Sequence, residues 1–286
     1  MSLRFLHTSD IHLLDLSGVS LWRYFNKRLT GRVNLALKRG RSHDGGLFDA
    51  MVTMAPGLGV DRLVLTGDLT NLALEPEFDL VQQTLRAAPL PTTVIPGNHD
   101  TYTRGSVRSG RFESFLSEFM EGERLHREAY PFVQRFDGVA LIGVSTAIAS
   151  LPLYAVGRVG EEQLERLATL LKVTAEEGRS RVVLIHHPVV DGVAGDRHDL
   201  LDRSAFASII AKHGAELVLH GHEHRTIETV LPGPTGPVPI HGVSSGTSLS
   251  TKPGRQACFS VYEATADHIR RELYIWNGSE FQARPD

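Results

Sequence analysis

The segment Thr93-Val94-Ile95-Pro96-Gly97-Asn98-His99-Asp100 reads as a short apolar strand that ends in a turn of polar side chains. The run at 92–95 has the β-branched character of a strand. Gly97 lets the backbone turn sharply and present Asn98, His99 and Asp100 together. Taken alone, Asn-His-Asp is also what an ordinary turn contains. Four further strand-like runs, however, lead into the same kind of residue. Phe5-Leu6-His7-Thr8-Ser9 runs into Asp10 and His12, and Leu63-Val64-Leu65-Thr66-Gly67 into Asp68. Val182-Val183-Leu184-Ile185 ends at His186, and Leu217-Val218-Leu219 is followed by His222 and His224. Ligands of open α/β sheets collect at the carboxyl ends of the strands. Five loops are therefore expected to converge on one place.

Between these runs lie longer patterns of helical period, near 46–55, 76–87, 111–120, 160–176 and 202–213. Strands are expected at 3–7, 62–66, 92–95, 139–144, 181–186 and 216–220, which makes the chain α/β. Glu161 and Glu162 open the helix near 160, where negative charge complements the helix dipole. After about residue 225 the pattern becomes short strands near 238–243, 256–263 and 268–275, with Pro232-Gly233-Pro234-Thr235-Gly236-Pro237 as a hairpin turn. No linker of domain-separating length, repeat or low-complexity run interrupts the sequence. One domain over residues 1–286 is the expectation.

A formal charge of -3 gives no global reason to expect a nucleic-acid or membrane partner. Cys258 is the only cysteine, which excludes an intramolecular disulfide and gives no sign of a thiolate cluster. The amino-terminal residues lack the apolar region of a signal peptide, and no run reaches the length of a membrane span, so a cytoplasmic location is expected.

Carboxylate oxygen, amide oxygen and imidazole nitrogen form a mixed, fairly hard donor set that suits Mn, Fe, Zn, Co or Mg. Asp10, His12, Asp68, Asn98, His186, His222 and His224 are too many for one four-coordinate ion. They fit two ions of higher coordination that share a carboxylate. Asp-x-His and Gly-Asp are weak signals singly, since Asp and His also cap helices and line turns. Gly221-His222-Glu223-His224 is more specific, because alternate residues past a strand face the same way. Their joint occurrence in this order decides.

The ordered set resembles the calcineurin-like metallophosphoesterase superfamily, whose motifs run Asp-x-His, Gly-Asp, Gly-Asn-His-Asp/Glu, His and Gly-His-x-His, all present between residues 10 and 224. The resemblance implies a two-sheet β sandwich flanked by helices. It implies that Asp10, His12 and His224 bind one metal and Asn98, His186 and His222 the other, with Asp68 bridging. His186 is preferred to His187 because the family's ligand usually stands two residues before a proline, here Pro188. His187 is then expected behind the ligands or facing substrate. His99 is the residue the resemblance assigns to the leaving oxygen, and Asp100 is expected to orient it. His7 and His220 are expected to pack, and His241 to be structural. Asn98-His99-Asp100 with His186-His187-Pro188 looks most like class III cyclic-nucleotide phosphodiesterases and glycerophosphodiesterases. A small phosphodiester is thus the expected substrate, with two divalent ions, Mn or Fe first and Zn or Co as alternatives. Other readings are a phosphomonoesterase, a nuclease, a scaffold without activity, or a pyrophosphatase of the UDP-diacylglucosamine type, which carries Arg where His99 stands. No nucleic-acid-binding module is evident.

Residues 16–43 stand apart. Arg23, Lys27, Arg28, Arg32, Lys38, Arg39 and Arg41 occur there without an Asp or Glu, together with Trp22, Tyr24 and Phe25. The segment leaves from Asp10 and His12, so it is expected to cap the site. One reading is an amphipathic helix whose Leu21, Phe25, Leu29 and Val33 pack on the body. The other is a basic, aromatic lip for an anionic substrate or an anionic lipid surface, with Arg28, Arg32, Lys38 and Arg39 as its charges.

Overall fold

The computed structural model describes residues 2–37 and 42–284. Lys38, Arg39 and Arg41 lie outside the described residues. In chain order the elements begin β1 (Leu3–Thr8), α1 (Arg28–Leu37), α2 (Gly45–Met54), β2 (Arg62–Leu65), α3 (Glu75–Ala87) and β3 (Thr92–Val94). They continue with α4 (Arg104–Arg108), α5 (Arg111–Leu116), β4 (Phe132–Phe136), β5 (Val139–Gly143), α6 (Glu161–Glu176), β6 (Ser180–Leu184) and α7 (Arg203–His213). The last stretch holds β7 (Leu217–His220), β8 (Ile227–Pro232), β9 (Pro237–Gly242), β10 (Cys258–Ala264), β11 (Ile269–Trp276) and β12 (Phe281–Ala283).

The strands form two six-stranded mixed sheets, ordered β12-β11-β10-β1-β2-β3 and β4-β5-β6-β7-β9-β8. In the first, β1, β2 and β3 run parallel. In the second, β5, β6, β7 and β9 do. The alternation of the second sheet explains why it lies between two apolar layers. Leu141, Val182, Leu184, Leu217 and Leu219 join the core shared with the first sheet. Their neighbours Ala140, Ile142, Val183, Ile185 and Val218 pack under α6 and α7 with Leu167, Leu171, Phe206 and Ile210. This is the α/β sandwich flanked by helices that the family resemblance implies.

The three strands not expected from the sequence, β4, β8 and β12, all stand at sheet edges. An edge strand buries less, so its apolar signal is weak; β8 (Ile-Glu-Thr-Val-Leu-Pro) fully buries only Leu231. The helix expected over 111–120 stops at Leu116 and tightens into a 3-10 turn, Ser117–Met120.

Segment 16–43 contains a 3-10 turn, Leu21–Tyr24, and α1, but the expected packing face is wrong. Leu21, Phe25, Leu29 and Val33 point to solvent, with 50–73% of their surface exposed. The buried row is Tyr24, Arg28 and Leu35. Arg28 donates from Nε to the Leu72 carbonyl (2.8 Å) and from Nη2 to the Ala73 carbonyl (3.0 Å). Gly31 lies so close to the body that a Cβ there would meet Leu72 Cδ2 at 2.5 Å. A row containing Arg and Gly does not read as an apolar face, which is why spacing alone selected the other one. Arg28 is accordingly not one of the exposed charges of a lip.

Candidate metal centre

Each candidate ligand sits just past a strand. Asp10 and His12 follow β1, Asp68 follows β2, Asn98 follows β3, His186 follows β6, and His222 and His224 follow β7. The loops after β1 and β2 run side by side, with Asp10 N–H donating to the Gly67 carbonyl (3.0 Å) and His12 N–H to Asp68 (3.1 Å). Two glycines permit the crowding. A Cβ on Gly97 would overlap the Asp68 carboxylate, and one on Gly221 would overlap Ser9 and the Asp10 carboxylate.

Backbone strain is concentrated here. Among the described residues, the non-glycine positions with positive φ are Asp10 (54°), His12 (46°), Asp68 (53°), His222 (73°) and His224 (47°), besides Ala73 and Leu153. Such conformations cost on the order of 1–3 kcal/mol each and persist where the surroundings over-determine them.

The imidazoles are held by carbonyl groups, which only accept. His12 gives its Nδ1 hydrogen to Thr70 (3.1 Å), His186 its Nδ1 hydrogen to Thr66 (2.7 Å) and His222 its Nε2 hydrogen to His198 (2.9 Å). The opposite ring nitrogens consequently turn inward. His12 Nε2 lies 3.2 Å from His224 Nε2, which lies 3.2 Å from Asp10 Oδ1. His186 Nε2 lies 3.2 Å from Asn98 Oδ1 and 3.5 Å from Asp68 Oδ1, while Asp68 Oδ2 is 3.9 Å from His12 Nε2. Asp68 thus stands between the two groups. Burial opposes charge on Asp68, but the His186 and His99 imidazoles outweigh it and hold the carboxyl well below its ordinary range. Burial likewise opposes charge on His186, yet Asp68 pushes its pKa up to about 9. Asp10 Oδ1, fully buried, has the His224 ring nitrogen beside it but no hydrogen bond of good geometry. Converging donor atoms, an orphaned carboxylate oxygen and a demand for positive charge fit divalent metal ions. The triads Asp10–His12–Asp68 and Asp68–His186–His222 each bring ligand atoms within 4.8 Å of one another.

One expectation about a neighbouring residue changes, and another narrows to one of its two alternatives. Asp100 does not orient His99; its carboxylate accepts N–H groups of Gly97 (2.9 Å), Leu69 (3.0 Å) and Thr70 (2.9 Å), so it fixes the loops carrying Asp68 and Asn98. The His99 ring instead places Nδ1 2.6 Å from the Asn71 carbonyl. His187 does not face substrate. It is fully buried, Nε2 donates to the Ala155 carbonyl (3.0 Å), Nδ1 accepts from Thr146 Oγ1 (2.6 Å), and its ring packs 4.3 Å from that of His222. Burial pushes its pKa down to about 3, so it is a neutral support behind a ligand. His7 and His220 are buried, and His241 binds Tyr262 Oη (2.9 Å).

The profile of the family described as calcineurin-like phosphoesterase matches residues 3–226. The chain belongs to that family. A probable glycerophosphodiester phosphodiesterase of Arcobacter nitrofigilis is 27% identical over 175 residues, 59% of each chain. The aligned region therefore spans about three-fifths of that relative's length. A probable cyclic nucleotide phosphodiesterase of Moraxella catarrhalis is 27% identical over 196 residues, 68% of each chain. A dimetal phosphatase from Danio rerio superposes with a TM-score of 0.60 at 16% identity over 98% of both chains, which shows a common fold. The metal-ligand clusters and the calcineurin-like fold together support a dinuclear-metal hydrolase.

The cluster of candidate ligands opens into a cavity of about 430 Å³, lined among others by Lys27, Asp68, Asn98, His99, Tyr154 and His222. Lys27, Thr30 and Gly31 form one wall. Lys27 Nζ donates to Ser150 Oγ (2.7 Å) and to the Tyr154 carbonyl (3.1 Å) and lies 4.7 Å from the centre of the Tyr102 ring. Burial lowers its pKa to about 8. Among the described residues of the segment, Lys27 is thus the basic one that lines the cavity. His43 was not singled out from the sequence, although its ring lies 5.0 Å from that of His12 and 5.6 Å from that of His224. It follows no strand, so the pattern that located the other histidines could not find it.

Proposed function

We propose that this chain is a phosphodiester hydrolase working through two divalent metal ions, with Asp10, His12 and His224 on one, Asn98, His186 and His222 on the other, and Asp68 between them. The observation that carries the reading is the inward turn of imidazole nitrogens around Asp68, fixed by the carbonyls of Thr70, Thr66 and His198. A mixed oxygen and nitrogen set without thiolate suits Mn or Fe, with Zn or Co as substitutes. When bound, such ions make water acidic enough to attack at neutral pH and neutralise the phosphoryl oxygens.

The protein groups supply the rest. His99 lines the cavity with Nδ1 held by Asn71, and in its protonated form gives a proton to the departing oxygen. Lys27 binds an unbridged phosphoryl oxygen, since its present partners are neutral acceptors that a phosphate outcompetes. The names of the relatives favour a diester, and His99 favours it over the pyrophosphatase branch.

The test measures metal content by mass spectrometry and turnover of glycerophosphodiesters, 3′,5′-cyclic nucleotides, aryl diesters and aryl monoesters with Mn²⁺, Fe²⁺, Co²⁺ and Zn²⁺. Two ions per chain with preference for diesters is the expected result. Preference for monoesters would overturn the substrate class, and absence of both metal and turnover would overturn the whole reading.

A further inference from the structure

His43 belongs to no motif of the family pattern, yet it is built into the centre as firmly as the ligands that do. The short segment before α2 is clamped to the loop after β9. His43 pairs with Ser248 in an antiparallel bridge, Asp44 N–H donates to the Thr247 carbonyl (2.8 Å), and Leu249 N–H donates to the Ser42 carbonyl (2.9 Å). Asp44 then caps α2 by accepting from Gly46 N–H (2.9 Å).

The hydrogen bonds around the ring decide which nitrogen carries the hydrogen. Nδ1 is 2.9 Å from Thr247 Oγ1 and 3.2 Å from Ser245 Oγ. Each hydroxyl has a single hydrogen, and both are already committed: Thr247 donates to the Ile11 carbonyl (2.9 Å) and Ser245 to the Asp10 carbonyl (2.7 Å). Toward His43 the hydroxyls can therefore only accept, so Nδ1 is the N–H and Nε2 carries the lone pair. The same arrangement, one nitrogen held so that the other can coordinate, is seen at His12, His186 and His222. A ligand atom of His43 lies within 4.8 Å of those of His12 and His224.

We propose that His43 is a further metal ligand, joining Asp10, His12, Asp68 and His224 on one ion; this rests on the dinuclear reading above. The two positions then differ. One ion receives five protein donors, three of them imidazoles, and keeps one open coordination position. The other receives four, from Asp68, Asn98, His186 and His222, and keeps two. The five-donor position holds its ion more tightly and, being richer in imidazole, favours Co²⁺ and Zn²⁺ over Mn²⁺.

The experiment strips the protein of metal and titrates Co²⁺ into wild type, His43→Ala, His43→Gln and Arg32→Gln, reading heat and the visible Co²⁺ spectrum. Wild type is expected to bind two Co²⁺ in distinguishable steps. His43→Ala is expected to weaken the tighter step by about 10–100-fold, the range for groups that tune a metal site. The weaker step should be retained, the Co²⁺ bands of the tight site should change, and Arg32→Gln should bind as wild type does. His43→Gln, which keeps a polar side chain, guards against a folding defect read by circular dichroism. Two steps unchanged in both His43 variants, or both steps weakened equally with the fold intact, would overturn the assignment while leaving the dinuclear reading in place. A wild type that binds no Co²⁺ would overturn both.

Discussion

His186 Nε2 and His222 Nδ1 face each other at 3.2 Å. Because the other nitrogen of each ring is given to a carbonyl, two neutral rings would bring lone pair against lone pair. The contact is favourable only with a cation between them, either a proton on His186 or a metal ion. Protons and metal therefore compete, and ligand sites of this kind bind metal more tightly as pH rises. Mn²⁺ is expected to raise the Tm of metal-stripped protein by several degrees, as tight binding to the native state alone requires, and by more at pH 8 than at pH 6. Differential scanning fluorimetry reads this; an equal shift at both pH values would argue against the competition.

Asp68→Ala is expected to remove more activity than replacement of any one terminal ligand, since one carboxylate sets both groups of donors. Metal content and kcat on an aryl diester should fall together. Retention of most of the wild-type rate with two ions bound would remove Asp68 from the bridging position.

His99→Ala is expected to lower kcat about 10²–10⁴-fold, the usual contribution of general acid–base groups, with metal content unchanged. The loss should shrink for leaving groups of low pKa. Equal losses for good and poor leaving groups would exclude proton donation.

Lys27, Arg28 and Arg32 should separate cleanly. A charge-assisted hydrogen bond contributes about 1.5–3 kcal/mol, so Lys27→Ala is expected to raise KM for an anionic diester by about tenfold or more. Arg28→Ala strips the Leu72 and Ala73 carbonyls of their buried donors and is expected to lower stability by about 1–3 kcal/mol in urea. Arg32, stacked 4.4 Å from the Tyr24 ring, should do neither when changed to Gln. A KM effect confined to Arg32→Gln would reverse the assignment.

Glu77 is buried and accepts N–H groups of Asn71 (3.1 Å), Leu72 (3.0 Å) and Leu74 (3.0 Å), and through Asn71 it supports His99. Burial pushes its pKa up to about 7. The folded chain therefore keeps a proton that the unfolded chain releases above about pH 4.3. This contribution is fully present at lower pH and is lost as pH rises through about 7. Metal-stripped protein should lose stability between pH 5 and 8, and Glu77→Gln should flatten that slope. Parallel pH profiles for the two proteins would contradict it.

The residues that end the parallel strands were legible because strand, turn and ligand occupy consecutive positions, as at Thr93–Asp100. Of the edge strands, β3 was legible because it is buried throughout, whereas β4, β8 and β12 were not, since each is only partly buried. Supporting contacts were also hidden: that Asn71 rather than Asp100 holds His99, and that Ala155 and Thr146 occupy both nitrogens of His187, depends on two backbone carbonyls and a hydroxyl brought together across 28–41 residues. In α1 the apolar spacing was genuine, but Arg28 and Gly31 form the buried side because carbonyls of Leu72 and Ala73 happen to lie there. His43 escaped for a similar reason, as its position is set by Ser245 and Thr247, over 200 residues away.

Asp10, His12, Asp68 and Asn98 hang from the first sheet, and His186, His222 and His224 from the second. Loaded ions would rivet the two sheets along their common seam. Amide exchange in β1 and β7 would then be slowed together by metal and released together by a chelator. The candidate metal centre would double as the clasp that makes two separately hydrogen-bonded halves open as one unit.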